Sequence, residues 1–407
     1  MLKTFIFLIV VVFCLFILQY AVNPKYAFPE PQPFSGDSLY NPYKDMESGK
    51  WKMANFHAHT RLYGGLTDGA ANTDQALDNY YRQFGYDIIS ISNYQNINTF
   101  ESGNRWFIPV YEHGYQYYKN HQLVINAKRI NWLDYPFRQT LHHKQLVFDQ
   151  LKKDTTAIVS IVHPVKRGAY SFNDLKYLAN YDCLEIASHE GVYSSYYDTI
   201  LSSGHPVFLL ANDDTHNMTK KKDACLSFNL INSDLDKSAV LQAVKTGRLV
   251  GVKLNPDSCL SDGMKKSVLE SLPGITGINL NGDRLMVSLD KTVKSIRFIG
   301  QKGAEKKKIL NTSSGYYLFR KDDTYIRSEI ECLNGATYFL NPVFRYNGIS
   351  FGTPPPAPDI PRTWISRTII IFFLLLITAI STRKRLYRWF KRQTGFRSEP
   401  GALVPEP

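Results

Sequence analysis

Two apolar runs, one near each end, constrain this chain most. Thr4 to Asn23 carries no charge, with Lys3 before it and Lys25 shortly after. Residues 1–23 read as a signal anchor or a long signal peptide, and a run longer than the roughly 7–15 residues of a secretion signal's apolar core favours the anchor. The second run, Thr368 to Thr382, is short for the ~20 residues that a bilayer needs. With Trp364 at the interface and Arg367 reaching outward, a span over 363–382 is expected. A buried core helix is the competing reading, and the basic stretch that follows argues against it. The Pro-rich stretch 351–362 reads as a semi-rigid spacer.

The formal charge of +12 is uneven. Arg383, Lys384, Arg385, Arg388, Lys391, Arg392 and Arg397 crowd into residues 383–397, which hold no acid. More than half of the excess lies there. The positive-inside rule puts this tail, 383–407, in the cytoplasm and everything from about Pro24 to Arg362 outside. The expected location is the cell membrane, with the folded part extracytoplasmic. The charge therefore calls for no nucleic-acid partner. The five cysteines form no CxxC pair, which excludes a zinc ribbon and a disulfide-dense scaffold and leaves buried thiols or one or two bridges.

Residues 50–254 alternate strand-like runs, IISIS (88–92), AIVSIV (157–162), CLEIA (183–187) and VFLLA (207–211), with helical patterns. That order predicts an α/β fold with a mainly parallel sheet or barrel. Residues 268–347 change character. They carry an Asn281-Gly282 hairpin signal and strict alternation in 324–333, with Ile326, Ile330 and Cys332 on one face and Arg327, Glu329 and Glu331 on the other. A small antiparallel β-sandwich domain is expected there.

The chemistry begins at His57-Ala58-His59. Alternate residues at a strand end point the same way, so both imidazoles can grip one ion. Other metal-binding types recur at strand ends: Glu112 after WFIPVY, His121 before QLVI, His163 closing AIVSIV, and Asp214 and His216 after VFLLAN. Functional groups collect at such ends in α/β folds. A shared carboxylate such as Glu112 can bridge two ions about 3.5–4 Å apart. His113 rivals His121.

The ordered set HAHT, LTDG (66–69), an isolated Glu, IVHP (161–164) and NDDTH (212–216) resembles the polymerase-and-histidinol-phosphatase (PHP) superfamily. VLQAVKTGRLVGV (240–252) is similar to its segment after the last metal motif, and YIRSEIECLNGATYFLNPVF (325–344) to the C-terminal β-domain of the carbaryl-hydrolase-like branch. The resemblance covers roughly 50–346. It implies a distorted (β/α)7 barrel with two or three metals. His57, His59, Glu112 and Asp214 would hold the first, Glu112, His121 and His163 the second, and Asp68 and His216 would contribute to a third. Where the family has TDH this chain has Ser92-Asn93-Tyr94, so the third site is weakened and two divalent ions (zinc, manganese or iron) are expected.

The expected activity is a metal-dependent hydrolysis of an ester, most simply a phosphoester, by an activated water. Glu112 and Asp214 would carry it and Arg167 would hold an anionic substrate. Lys166 and Lys220 to Lys222 are further basic candidates, the latter more in keeping with a solvated charge run. The substrate would be a small-molecule or lipid- or sugar-linked ester. The alternative is a catalytically degenerate PHP-like module that binds or scaffolds in the cell envelope.

Overall fold

The computed structural model describes residues 2–259, 261–348, 351 and 353–393. They fall into two units, Ala27–Ala357 and the terminal segments 1–26 with 358–407.

In the terminal unit, Leu2–Ala21 and Ile360–Gln393 are helices. Among the described residues, the stretch Ile360–Phe390 is the one helical segment long and apolar enough to cross a membrane. The Arg367 guanidinium donates to the Val22 carbonyl at 2.8 and 3.1 Å, and the Lys25 N–H donates to Thr363 Oγ1 at 2.9 Å. The basic stretch from Arg383 continues the same helix to Gln393. Residues 394–407, with Arg397, lie outside the described residues. The 351–362 spacer is shorter than expected. Thr353 is buried, its hydroxyl donating to the Ser203 carbonyl at 2.8 Å, and the helix takes over at Ile360.

The larger unit is a mixed α/β fold built on two main sheets. The first runs in the order Phe208–Ala211, Cys183–Ser188, Ile158–Ile161, Gln122–Ile125, Val110–His113. Its first three strands are parallel and the last two antiparallel. Every residue of these five strands is buried, which explains their continuous apolar runs. The helices of this unit are locally encoded. Thr73 accepts from the Ala76 N–H to start Asp74–Arg82, which buries Leu77 and Tyr81. Thr140 and His143 form a reciprocal cap on Leu141–Leu151, which gives His143 a structural role.

The second sheet runs Ile275–Asn281, Arg284–Gly300, Tyr325–Glu331, Thr337–Leu340, Leu249–Lys253, Ser227–Asn232, Trp51–Asn55, Ile88–Ile89, with Ala304–Leu318 on Arg284–Gly300. The C-terminal strands are antiparallel as expected, and the hairpin turns at Asn281-Gly282. They do not form a sandwich of their own over 268–347. Thr337–Leu340 pairs with Leu249–Lys253, from Val250 opposite Leu340 to Lys253 opposite Thr337, so one sheet spans both halves. All five residues of Leu249–Lys253 are buried. A buried strand left as an edge would strand its amides and carbonyls without partners, so it is closed on both sides. The core is continuous across this seam, joining Val250 and Val252 to Ile330, Tyr338 and Leu340.

Arg327 reinforces the same union. It is buried on Tyr325–Glu331 and grips both oxygens of Asp198, on helix Ser194–Ser202, at 2.7 Å. Cys183, Cys225, Cys259 and Cys332 are buried and unpaired, which settles the open choice in favour of core thiols.

Two isolated parallel bridges bring the sheets together where it matters. Ala58 pairs with Thr215, and Tyr94 with Glu112. The residues just beyond Trp51–Asn55 and Ile88–Ile89 thus meet those beyond Phe208–Ala211 and within Val110–His113.

Candidate metal centre

The segment after Trp51–Asn55 stays extended long enough to place His57 and His59 on one side. It is fastened to the segment after Phe208–Ala211: the His59 N–H donates to the Thr215 carbonyl at 2.8 Å and the Asp214 N–H to the His57 carbonyl at 3.0 Å. Glu112 enters from Val110–His113, and the Gln95 N–H donates to its carbonyl at 2.9 Å. His163 follows Ile158–Ile161 after one residue, Val162. His57, His59, Glu112 and Asp214 are wholly buried, and His121 and His163 nearly so.

Two groups close around Glu112. His57, His59, Glu112 and Asp214 each offer an atom within 4.8 Å of the others, and so do Glu112, His121 and His163. The two carboxylate oxygens divide the work. Glu112 Oε2 lies 3.0 Å from His59 Nε2 and 3.5 Å from His57 Nε2. Oε1 lies 2.5 Å from His121 Nδ1 and 3.0 Å from His163 Nε2. Asp214 Oδ1 faces the Nε2 atoms of His57, His59 and His216 at 3.1, 3.3 and 3.2 Å.

These donors suit divalent ions. His57 Nε2, His59 Nε2, His121 Nε2, Glu112 Oε2 and Asp214 Oδ1 are buried without a hydrogen bond, an arrangement that proteins avoid unless something else satisfies the atoms. Imidazole and carboxylate together fit zinc, manganese or iron. Burial pulls the His57 ring down, and the carboxylates of Asp214, Glu185 and Glu112 outweigh it and hold the ring well above its ordinary value. Burial also pushes Glu112 and Asp214 up, but the facing histidines hold both well below the usual carboxylate range. Burial pulls His121 down to about 4, a shift toward the neutral ring that metal binding requires. His163 and Asp214 adopt left-handed backbone, with φ of 30° and 55°. Non-glycine residues store strain in that region, and such strain gathers at functional sites.

Glu185 completes the support, and sequence reasoning missed it. It sits in Cys183–Ser188, where the apolar run CLEIA reads as plain strand. Its Oε1 lies 3.0 Å from His57 Nδ1, and Oε2 accepts from the His163 N–H at 3.0 Å. The first contact fixes the proton on Nδ1 and turns Nε2 inward, the usual outer support of a metal-binding histidine. Glu185→Gln is expected to weaken metal uptake about 10–100-fold, read by competition with a chromogenic chelator. Unchanged affinity would show that Glu185 serves packing alone.

No protein-family model matches this chain, and no curated protein matches it. The centre therefore stands on its own geometry.

That geometry sorts the remaining candidates. His121 is selected over His113, because both ring nitrogens of His113 are taken, by Gln122 Oε1 at 2.7 Å and the Leu133 carbonyl at 3.0 Å. His216 touches Asp214 and stacks on His59 at 4.6 Å between ring centres, beside the first group rather than within it. Asp68 is exposed and belongs to neither group; it lines the neighbouring cavity. Arg167 also stands apart. Its left-handed backbone, φ 50°, turns the side chain outward to the ring and carbonyl of Tyr117. Lys166 reaches the centre instead, 3.3 Å from Asp214 Oδ2 and 2.8 Å from Glu190 Oε1. Tyr94 stacks on His59 at 4.5 Å, and burial, then Glu112 and Asp214, raise its phenol far above the ordinary value, so it stays protonated.

A cavity of about 740 Å³ opens beside the second group, lined by Tyr94, Gly114, Tyr115, Lys119, His121 and Trp132 among others. Gly114 is required here, since its φ is 123° and a Cβ would come within 2.5 Å of the His121 ring.

Proposed function

We propose that the larger unit is a metal-dependent hydrolase of ester bonds, most simply a phosphoesterase, of the PHP type. The observation that carries this reading is Glu112: one buried carboxylate whose two oxygens each serve a separate histidine group. His57, His59 and Asp214 would hold one divalent ion with it, and His121 and His163 a second. When bound, such ions supply a water acidified toward neutral pH and offset charge on the substrate's oxygens.

The chain's own residues prepare that chemistry. Glu185 sets the His57 tautomer. The cavity beside His121 gives the substrate a partly apolar bed with one cation, Lys119, whose ammonium lies 5.2 Å from the centre of the Tyr94 ring. The bridges at Ala58 and Tyr94 support a distorted barrel. The stretch Ile360–Phe390 supports a membrane anchor, and the basic residues from Arg383 onward favour an extracytoplasmic larger unit. The N-terminal helix would be a second anchor.

Tyr94 favours one other reading. A protonated tyrosine stacked where the resembled family places a metal-binding histidine suits a degenerate module that binds without catalysis. Elemental analysis of the full chain in detergent, followed by a panel of phosphomonoesters, phosphodiesters and carboxylic esters, separates the two. Two ions per chain with turnover of any class supports the hydrolase. Bound metal with no turnover favours the binding module, and a chain that takes up neither zinc nor manganese sinks both metal-based readings.

A further inference from the structure

Next to the two groups around Glu112 lies a third donor set, which shares Asp214 with the first group and adds two residues, His189 and Glu190, that the proposed chemistry leaves unused. His189, Glu190 and Asp214 each offer a ligand atom within 4.8 Å of the others. His189 is oriented by the Asp213 carbonyl, 2.7 Å from its Nδ1, which keeps the proton there and leaves Nε2 bare in the neutral ring. Glu190 is set by its own N–H, which donates to Ser188 Oγ at 3.3 Å. One imidazole and two carboxylates make a respectable set for a divalent ion. Two carboxylates this close, one of them wholly buried, also repel each other strongly unless a positive charge joins them.

The charge that joins them belongs to the chain. Lys166 Nζ lies 2.8 Å from Glu190 Oε1 and 3.3 Å from Asp214 Oδ2. Asp214 is thereby split: Oδ1 faces the three histidines and Oδ2 faces the ammonium. The backbone delivers the lysine there. The Lys166 N–H donates to the His163 carbonyl at 3.0 Å, and the left-handed Arg167 and Gly168 then carry the chain away. The same turn that points Arg167 outward aims Lys166 inward.

We propose that Lys166 is a built-in cation of the metal centre, its ammonium occupying the place that His189, Glu190 and Asp214 would otherwise offer to an additional divalent ion. The proposal rests on the two-ion reading of the groups around Glu112. Its consequence is specific. The centre keeps a fixed single charge at this position whatever the metal supply, and Asp214 presents only one oxygen to the neighbouring ion.

The test counts ions. The full chain in detergent is stripped with a chelator and titrated with zinc or manganese, with bound metal measured by elemental analysis after gel filtration. The parent is expected to saturate at two ions. Lys166→Ala is expected to take up a third, Lys166→Arg to stay at two, and the double variant Lys166→Ala/Glu190→Gln to return to two. Lys166→Ala saturating at two, with parent-like melting, overturns the proposal. Should that variant fail to fold, Lys166→Met, which keeps the length without the charge, is titrated instead, and a count of two overturns the proposal equally. A parent that binds no ion removes the two-ion reading and this proposal with it, and that result is read from the parent sample alone.

Discussion

Glu112→Gln is expected to empty both halves of the proposed metal centre together. The substitution keeps the shape of the side chain and removes only its charge. Among the described residues no other belongs to both histidine groups, so losing this carboxylate would weaken two ions at once, whereas His163→Ala touches one group alone. Elemental analysis should fall from about two ions per chain to well below one for Glu112→Gln. Any ester hydrolysis should drop by about 10³-fold or more, the order seen when a principal electrostatic element of a site is removed. Folding should survive. The substitution changes no volume in the buried cluster, and the amide can still hydrogen-bond the histidines that face it. A Glu112→Gln protein that keeps both ions would show that the two groups are independent and that the shared carboxylate is incidental.

The second large effect is on stability. Arg327→Met should destabilise the larger unit by about 3–5 kcal/mol, the usual consequence of leaving a buried charge without its partner. The guanidinium makes two 2.7 Å bonds to Asp198 and a 2.5 Å bond to Glu329 Oε1, and it is 2% exposed. Removing it leaves Asp198 and Glu329 facing each other with reduced compensation. Arg297 also reaches Glu329 and softens the loss there. Chemical denaturation followed by tryptophan fluorescence measures the change. The double variant Arg327→Met/Asp198→Leu should recover much of it, because an apolar pair leaves no buried charge behind. A loss below about 1 kcal/mol, the range of solvated surface pairs, would show that water reaches this pair.

A residue's role is legible in the sequence to the extent that it does not depend on non-local pairing. His57, His59, Glu112, His163 and Asp214 were legible because each sits at the end of an apolar run, and strand ends converge in α/β folds whatever their order. Glu185 was hidden for the opposite reason. A single carboxylate inside a run as apolar as CLEIA carries no local signal, and its role appears only when His57 arrives from 128 positions away. The choice between Lys166 and Arg167 depended on one backbone angle. Neighbouring residues in a turn point in different directions, and the left-handed conformation of Arg167 decides which faces inward. Asp68 follows the motif LTDG, yet its loop leaves it exposed beside the cavity. The alternation in 324–333 gave the strand correctly, but nothing in alternation names the neighbour. The pairing of Thr337–Leu340 with Leu249–Lys253 joined what read as two domains.

That seam imposes an order on biogenesis. Every residue of the proposed centre has left the ribosome by His216, and Leu249–Lys253 follows soon after. Its partner Thr337–Leu340 emerges some 84 residues later, roughly 4–17 s at ordinary elongation rates. During that interval an apolar strand with a bare edge must wait. Premature termination anywhere in 254–336 therefore yields a product prone to pair with other unfinished copies.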